Sequence, residues 1–456
     1  MGNLSAEPLP WNSYRKTGFR FAFIFFILFI VLLDWSVNPV FSYVYYEAGL
    51  AEFLDAIINQ TGKNLFHISY TIISPYDGQH NDRTYAYLLY FIMLMAALFG
   101  TIIWTALDRK RTNYDTLYYW LTTIIRYYLA FTLFLFALEK FFKLQFPDLG
   151  LYLLSEPVGN LSPMNLAWAF FGYSYGYNIF MGIAESAALL LLFRRTMTFG
   201  SILTLFTLAN VMAVNYNYNV HAKMYPTALF VMTLFLLIPQ LNSLFRFFFT
   251  GEATALAVIK APVFKKRWMT ISKAALKLLL IGYFLLFSVK DYIGYQQRKV
   301  AREINKSQSG LSGVYAVETF VMNKDSLSTE NPLRWNQFIL GGARERIRLK
   351  ADSIAYIDVS VDKKEMFVYG DRNELAKKDQ EICNELGFRE TMNVDMDSIF
   401  VARQIKSRFQ FGFIDSTTLW LKGKIKNDSV FMTAKKQTIK PEDFRLMKNG
   451  FQWITE

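Results

Sequence analysis

The feature that most constrains this chain is a series of apolar blocks, each close to the length of a bilayer crossing and separated by short basic or polar loops. Helical candidates fall at about 19–33, 85–107, 117–138, 165–193, 198–214, 225–245 and 274–289. A hydrocarbon core about 30 Å thick takes roughly 20 helical residues, so the blocks predict seven transmembrane helices. Composition agrees: 53% of the 456 residues are hydrophobic, 17% are aromatic and only 19% are charged. That balance excludes a soluble enzyme as the simple reading.

The first block has the basic flank of a signal peptide, but Asp34-Trp35-Ser36-Val37-Asn38-Pro39 offers no small-residue cleavage site, so it reads as an uncleaved helix. Loop lysines and arginines number fourteen on one side and five on the other. The excess predicts a cytoplasmic N-terminus and, with an odd number of spans, an extracytoplasmic C-terminal region. The net charge of +12 is then partly topology, and no nucleic-acid partner is needed to account for it.

The expected organisation is a first helix (1–36), an outer loop with an amphipathic helix (37–83), a second helix and inner loop (84–116), and a four-helix core (117–246). An inner interfacial segment with the seventh helix (247–293), a polar linker (294–308) and a β-rich unit (309–456) follow. In the last, GVYAVETFVMN, DSIAYIDVSVDKKEMFVYGD, DSIFVARQI and TLWLKGKIKNDSVFMTAKKQ alternate apolar and polar residues, the pattern of a strand meander closed as a small barrel or sandwich. No nucleophile, metal-ligand spacing or phosphate loop stands out there. The single cysteine, Cys383, excludes an intramolecular disulfide, a CxxC pair and a cysteine zinc site. Three histidines, His67, His80 and His221, share no ligand spacing, so no metal site is read and any cofactor is a diffusible one.

Polar residues inside the apolar blocks are the candidate site. Arg126 lies nine residues past Leu117, and Glu185 nine before Arg194 on the next, oppositely directed block. At about 1.5 Å per residue both sit roughly 14 Å deep, which predicts an Arg126 to Glu185 ion pair. Tyr175, Asn178, Gly182 and Glu185 recur at three- and four-residue spacing, one polar stripe on a helix. Lys140, fourteen residues after Arg126, shares its face, and Asn210 and Lys223 stand near the same outer mouth. Gly172 and Gly176 make a GxxxG packing pattern. The pair either fixes helix register or lines a cavity for a small molecule.

These residues also carry a resemblance. RYYLAFTLFLFALEKFFKLQFP, SPMNLAWAFFGYSYGYNIFMGIAESAALLLLFRRT and LANVMAVNYNYNVHAKMYPTALFVMTLFLLIPQL resemble a DoxX-type four-helix membrane core, with Arg126, Lys140 and Glu185 at the family's arginine, lysine and glutamate. The whole chain is similar to a larger membrane-protein type of Bacteroidetes-like bacteria that appends an outer β domain. Ala137, Ala187 and Ala188 replace the glycines usual beside the lysine and glutamate. The resemblance implies an accessory redox subunit that meets quinone. A transport or envelope protein binding a lipophilic small molecule, and a membrane anchor presenting the β domain to a periplasmic protein, are the other readings.

Overall fold

The computed structural model describes residues 10–33, 50–70, 72, 82–256, 258, 266–309, 311, 313–340, 345–350, 353–357, 359–362, 365–369, 405–425 and 427–448. Two compact units divide the chain. The first comprises Met1–Ile68, Ile72–Pro147 and Leu166–Ser288; the second comprises Ser69–Thr71, Asp148–Asn165 and Val289–Glu456.

In the first unit the helices are α1 (Ser13–Leu33), α2 (Leu50–Leu65), α3 (Thr84–Leu107), α4 (Asp115–Phe141), α5 (Pro163–Tyr173), α6 (Tyr175–Ser186), α7 (Met197–Asn217), α8 (Met224–Leu237) and α9 (Arg267–Ser309), with α5 crossing the division at its start, before Leu166, and α9 crossing it after Ser288. Among the described residues six helical stretches are long and apolar enough to cross a membrane: Ser13–Leu33, Thr84–Leu107, Asp115–Phe141, Tyr175–Leu192, Met197–Asn217 and Met224–Thr250. The expected seventh stretch, 274–289, is helical within α9 and stacks Phe284 on Phe131 at 4.2 Å, but several α9 side chains lie outside the description and it is not one of the six.

A further correction concerns the fourth span, which is not one helix. It breaks at Ser174, between α5 and α6, so Gly172 and Gly176 lie on different helices and form no GxxxG surface. After α6 the chain tightens into a 3-10 turn, Ala187–Leu192. The last span also changes form, at the Ile238–Gln240 segment that holds Pro239, whose ring cannot continue an α-helix without losing a bond.

α4, α6 with its 3-10 extension, α7 and α8 pack in a ring, each on the next. α1 and α3 form a pair beside it, with Phe29 stacked on Tyr225 and edge-on to Tyr128. One end of this pair is tied by Arg20, which donates to Tyr114 Oη (2.7 and 2.9 Å), Thr105 Oγ1 (2.8 Å) and the Asp108 carbonyl (3.0 Å). The amphipathic helix expected in the outer loop is α2, which buries Leu54 and Ile58 and leaves Phe53 exposed. The residues around it from 34 to 49 and 73 to 81, His80 included, lie outside the described residues.

The second unit is an antiparallel sheet: β1 (Gly313–Met322), β2 (Asp325–Ser326), β3 (Gln337–Leu340), β4 (Glu345–Lys350), β5 (Ser353–Ile357), β6 (Val359–Asp362), β7 (Glu365–Tyr369), β8 (Ile405–Phe413), β9 (Thr418–Ile425) and β10 (Asp428–Gln437). Its order is β5-β4-β3-β1-β10-β9-β8-β7-β6, with β2 on β1 through a two-residue turn whose Asn323 and Lys324 have φ of 50° and 77°. Asparagine is a favoured residue for that left-handed turn. The expected meander is present. Among the described residues no ladder closes it into a barrel, although its end strands β5 and β6 are separated in sequence by residue 358 alone, so the sheet must curve. One face buries Tyr315, Phe320, Phe338, Phe409, Leu421 and Met432 as a common apolar core. Of the expected strand DSIFVARQI only Ile405 is described, and Cys383 lies outside the described residues.

Candidate intramembrane site

The site is built around the break at Ser174. In hydrocarbon a broken helix must satisfy its freed backbone groups within the protein, and side chains do so here. Asn178 donates through Nδ2 to the carbonyls of Phe171 (2.7 Å) and Ser174 (2.9 Å). Lys143 Nζ donates to Gly172 O (2.7 Å), and Ser174 Oγ caps α6 by accepting from Tyr177 N (3.2 Å). Tyr175, half exposed, donates its hydroxyl to Phe141 O at the end of α4 (3.2 Å). α6 can approach α4 closely because Gly182 has no Cβ; one there would fall 2.6 Å from the Phe141 ring.

That approach buries Asn178, Gly182 and Glu185, three of the four residues of the predicted stripe, against α4, while the fourth, Tyr175, stays exposed. The partner of Glu185 is not the predicted one. Lys140 Nζ lies 2.8 Å from Glu185 Oε1, with the two side chains 7% and 3% exposed. Helical side chains lean toward the N-terminus of their own helix. On α4 this tilts Lys140 inward onto Glu185 and Arg126 away from it. Equal Cα depth was therefore the wrong criterion, and the 3-10 segment Ala187–Leu192, with its longer rise per residue, lies inside the stretch counted from Arg194 and displaced the depth count.

Lys140 is fully engaged. Besides Glu185 it donates to Gln145 Oε1 (2.7 Å) and Phe136 O (3.4 Å), and its ammonium stands 5.8 Å from the ring centres of both Phe136 and Phe146. Glu185 is half engaged: its Oε2 is buried and has no hydrogen-bond partner among the described residues. The same holds for Asn178 Oδ1, Ser186 Oγ, Ser201 Oγ and Thr204 Oγ1. Ser201 and Thr204 belong to the face of α7 that meets α6, for Thr207 donates to Ala184 O (3.2 Å) and Gly200 lies against Leu190. Between those two contacts the antiparallel register sets Thr204 beside residues 186 and 187, about half a turn or less from Glu185.

Arg126, 2% exposed, sits at the other end of the 3-10 segment and donates Nε to Leu191 O (2.6 Å). Lys277 reaches Leu192 O (3.4 Å) and Thr196 Oγ1 reaches Leu190 O (2.7 Å). Cations thus face the C-terminal carbonyls of α6 and its extension, where the helix dipole is negative.

Of the remaining predicted residues, Asn210 is exposed on α7 and takes no part. Lys223 joins a different cluster. Asp82 accepts from Lys223 N (2.7 Å) and Met224 N (3.1 Å), capping α8, and lies 3.6 Å from Lys223 Nζ. Sequence reasoning missed Asp82, Gln145, Ser201, Thr204 and Lys277. The two α7 hydroxyls could have been found, being spaced i and i+3 in an apolar block.

Together these observations define a multi-pass helical membrane protein with a C-terminal antiparallel sheet unit and a charged, incompletely satisfied helical core. A 113-residue stretch is 34% identical to the uncharacterized protein YwoB of Bacillus subtilis (strain 168), covering 25% of this chain and 71% of that protein. The chain belongs to the same family as YwoB. No family model matches the chain, and no solved structure matches it.

Proposed function

We propose that the four-helix core binds a small lipophilic molecule by its polar head, within the membrane, at Glu185. The observation that carries this reading is the buried, unpartnered Glu185 Oε2 beside a saturated Lys140. A polar atom left without a partner at such depth is costly, and a ligand donor or proton there offsets that cost. Ser186, Ser201 and Thr204 supply further hydrogen-bonding capacity nearby.

The DoxX-type resemblance makes a quinone the first ligand to test, with Glu185 exchanging protons with the head group in an accessory redox role. A transported or envelope lipid-like molecule uses the same chemistry. Extraction of the purified protein followed by quinone analysis tests the class. Bound quinone that is lost in Glu185→Gln supports it, and its absence, with unchanged quinol oxidation by membranes carrying Glu185→Gln, defeats it. The loop charge bias supports a cytoplasmic N-terminus and an extracytoplasmic sheet unit.

The anchor reading has one observation in its favour, that Asn178, Lys143 and Tyr175 all serve backbone carbonyls. It is preferred if deletion of residues 309–456 reproduces the full loss phenotype while Glu185→Gln is silent.

A further inference from the structure

Two arginines are buried in the first unit to nearly the same degree, Arg20 at 3% and Arg126 at 2% exposure, and they are treated differently. Arg20 directs all three guanidinium nitrogens at protein oxygens. The Arg126 guanidinium makes a single hydrogen bond, Nε to Leu191 O, among the described residues. No carboxylate among them lies within ion-pair distance of it, and Glu185, the acid expected to pair with it, is bound to Lys140.

The surroundings are cationic. Lys277 bonds the next carbonyl, Leu192 O, and lies over the Phe193 and Tyr127 rings at 4.9 and 5.9 Å, and Arg194 follows Leu192 two residues further along the chain. An arginine in a bilayer-spanning bundle ordinarily meets an opposite charge. Here the described residues supply none, and Arg126 and Lys277 meet at the Leu191–Leu192 end of the 3-10 segment, two residues before Arg194. Nη1 and Nη2, without a hydrogen-bond partner among the described residues, form a planar fork of the kind that takes two oxygens of one phosphate.

We propose that Arg126, with Lys277 and Arg194, recognises a phosphate-bearing anion at that end of the bundle. The site is separate from the Glu185 site and does not rest on it: either can fail alone. The phosphate belongs to a phospholipid headgroup of the adjoining leaflet or to a free anion, and the two sources are separable.

The test is native mass spectrometry of the purified full chain in detergent. It is offered phosphatidylglycerol, a phosphate-free galactolipid of matched chains, or inorganic phosphate. For a lipid source, phosphatidylglycerol is retained selectively, and Arg126→Gln weakens retention about tenfold or more, as expected for losing charge-assisted bonds to phosphate. Arg20→Gln leaves it unchanged. For a free anion, inorganic phosphate binds with the same dependence on Arg126 while neither lipid shows it. If Arg126→Gln retains phosphatidylglycerol and phosphate as the wild type does, or the galactolipid is held as well as phosphatidylglycerol and inorganic phosphate does not bind, the proposal is wrong. Should Arg126→Gln not fold, Lys277→Gln decides: a severalfold loss is expected, and no loss overturns the proposal.

Discussion

The two buried cations of α4 have opposite accounts. Lys140 has three oxygens for its three protons, one of them ionised, and sits near the break at Ser174. Arg126, more than three turns away on nearly the same face, has one carbonyl for a guanidinium of five donors. A buried charge whose capacity is used up holds structure, and one with capacity to spare is available to something else. Glu185 Oε2 and Arg126 are of the second kind; Arg20, Lys140 and Asp82 are of the first.

Substitutions sort along that division. Lys140→Met strands the Glu185 carboxylate in the core and is expected to cost about 3 to 5 kcal/mol in denaturant unfolding in detergent. Restoring part of the loss with Glu185→Gln on top would confirm that the stranded charge is the cause. A Lys140→Met protein as stable as wild type would mean that the pair is not structural.

Asp55 on α2, outside the spans, is a carboxylate with capacity to spare that protonation relieves. Burial first, and the charge of Glu52, push it up to about 6, against the lowering effect of its hydrogen bond with Tyr85; its Oδ1 has no partner among the described residues. The folded state then binds more protons than the unfolded one between pH 3.8 and about 6. Stability therefore falls as pH rises through that window and stays lower above it, by roughly 3 kcal/mol at most. Melting should be higher at pH 5 than at pH 8, and Asp55→Asn should flatten the difference. An equal slope in that variant would place the effect elsewhere.

Asp82→Ala removes the cap of α8 and the Lys223 contact, for an expected loss of about 1 to 2 kcal/mol. Faster hydrogen exchange at residues 223–227, with α7 unchanged, is the signature; protection unaltered there would show that the cap is dispensable. The smallest effect is expected for Thr204→Val, which exchanges an unpartnered hydroxyl for a methyl of the same shape. Stability should change by less than about 0.5 kcal/mol, or rise. If ligand binding falls with stability unchanged, Thr204 serves the ligand; a large destabilisation would show that its hydroxyl has a structural partner.

The sequence made the polar face of α6 legible, because Asn178, Gly182 and Glu185 keep helical spacing in an apolar block, and that face is the buried one. Which cation meets Glu185 was not legible. Counting residues places Cα atoms, whereas the contact depends on the lean of side chains and on the 3-10 segment between Glu185 and Arg194. The break had a signal in Gly172-Tyr173-Ser174-Tyr175-Gly176, a helix-capping serine between two glycines. The 3-10 turn had none, since Ala187-Ala188-Leu189-Leu190-Leu191-Leu192 is a strong α-helix former. In the sheet unit the long alternating strands β1, β9 and β10 were plain. β3 and β4 were not singled out, being short and, in Glu345–Lys350, charged at every other position.

A double-mutant cycle on Glu185 tests the central claim most directly. Unfolding free energies are measured for Glu185→Gln combined with Lys140→Met and, separately, with Arg126→Met. The structure predicts coupling of about 2 kcal/mol or more between Lys140 and Glu185 and less than about 0.5 kcal/mol between Arg126 and Glu185. Coupling of Glu185 to Arg126, with none to Lys140, would contradict it.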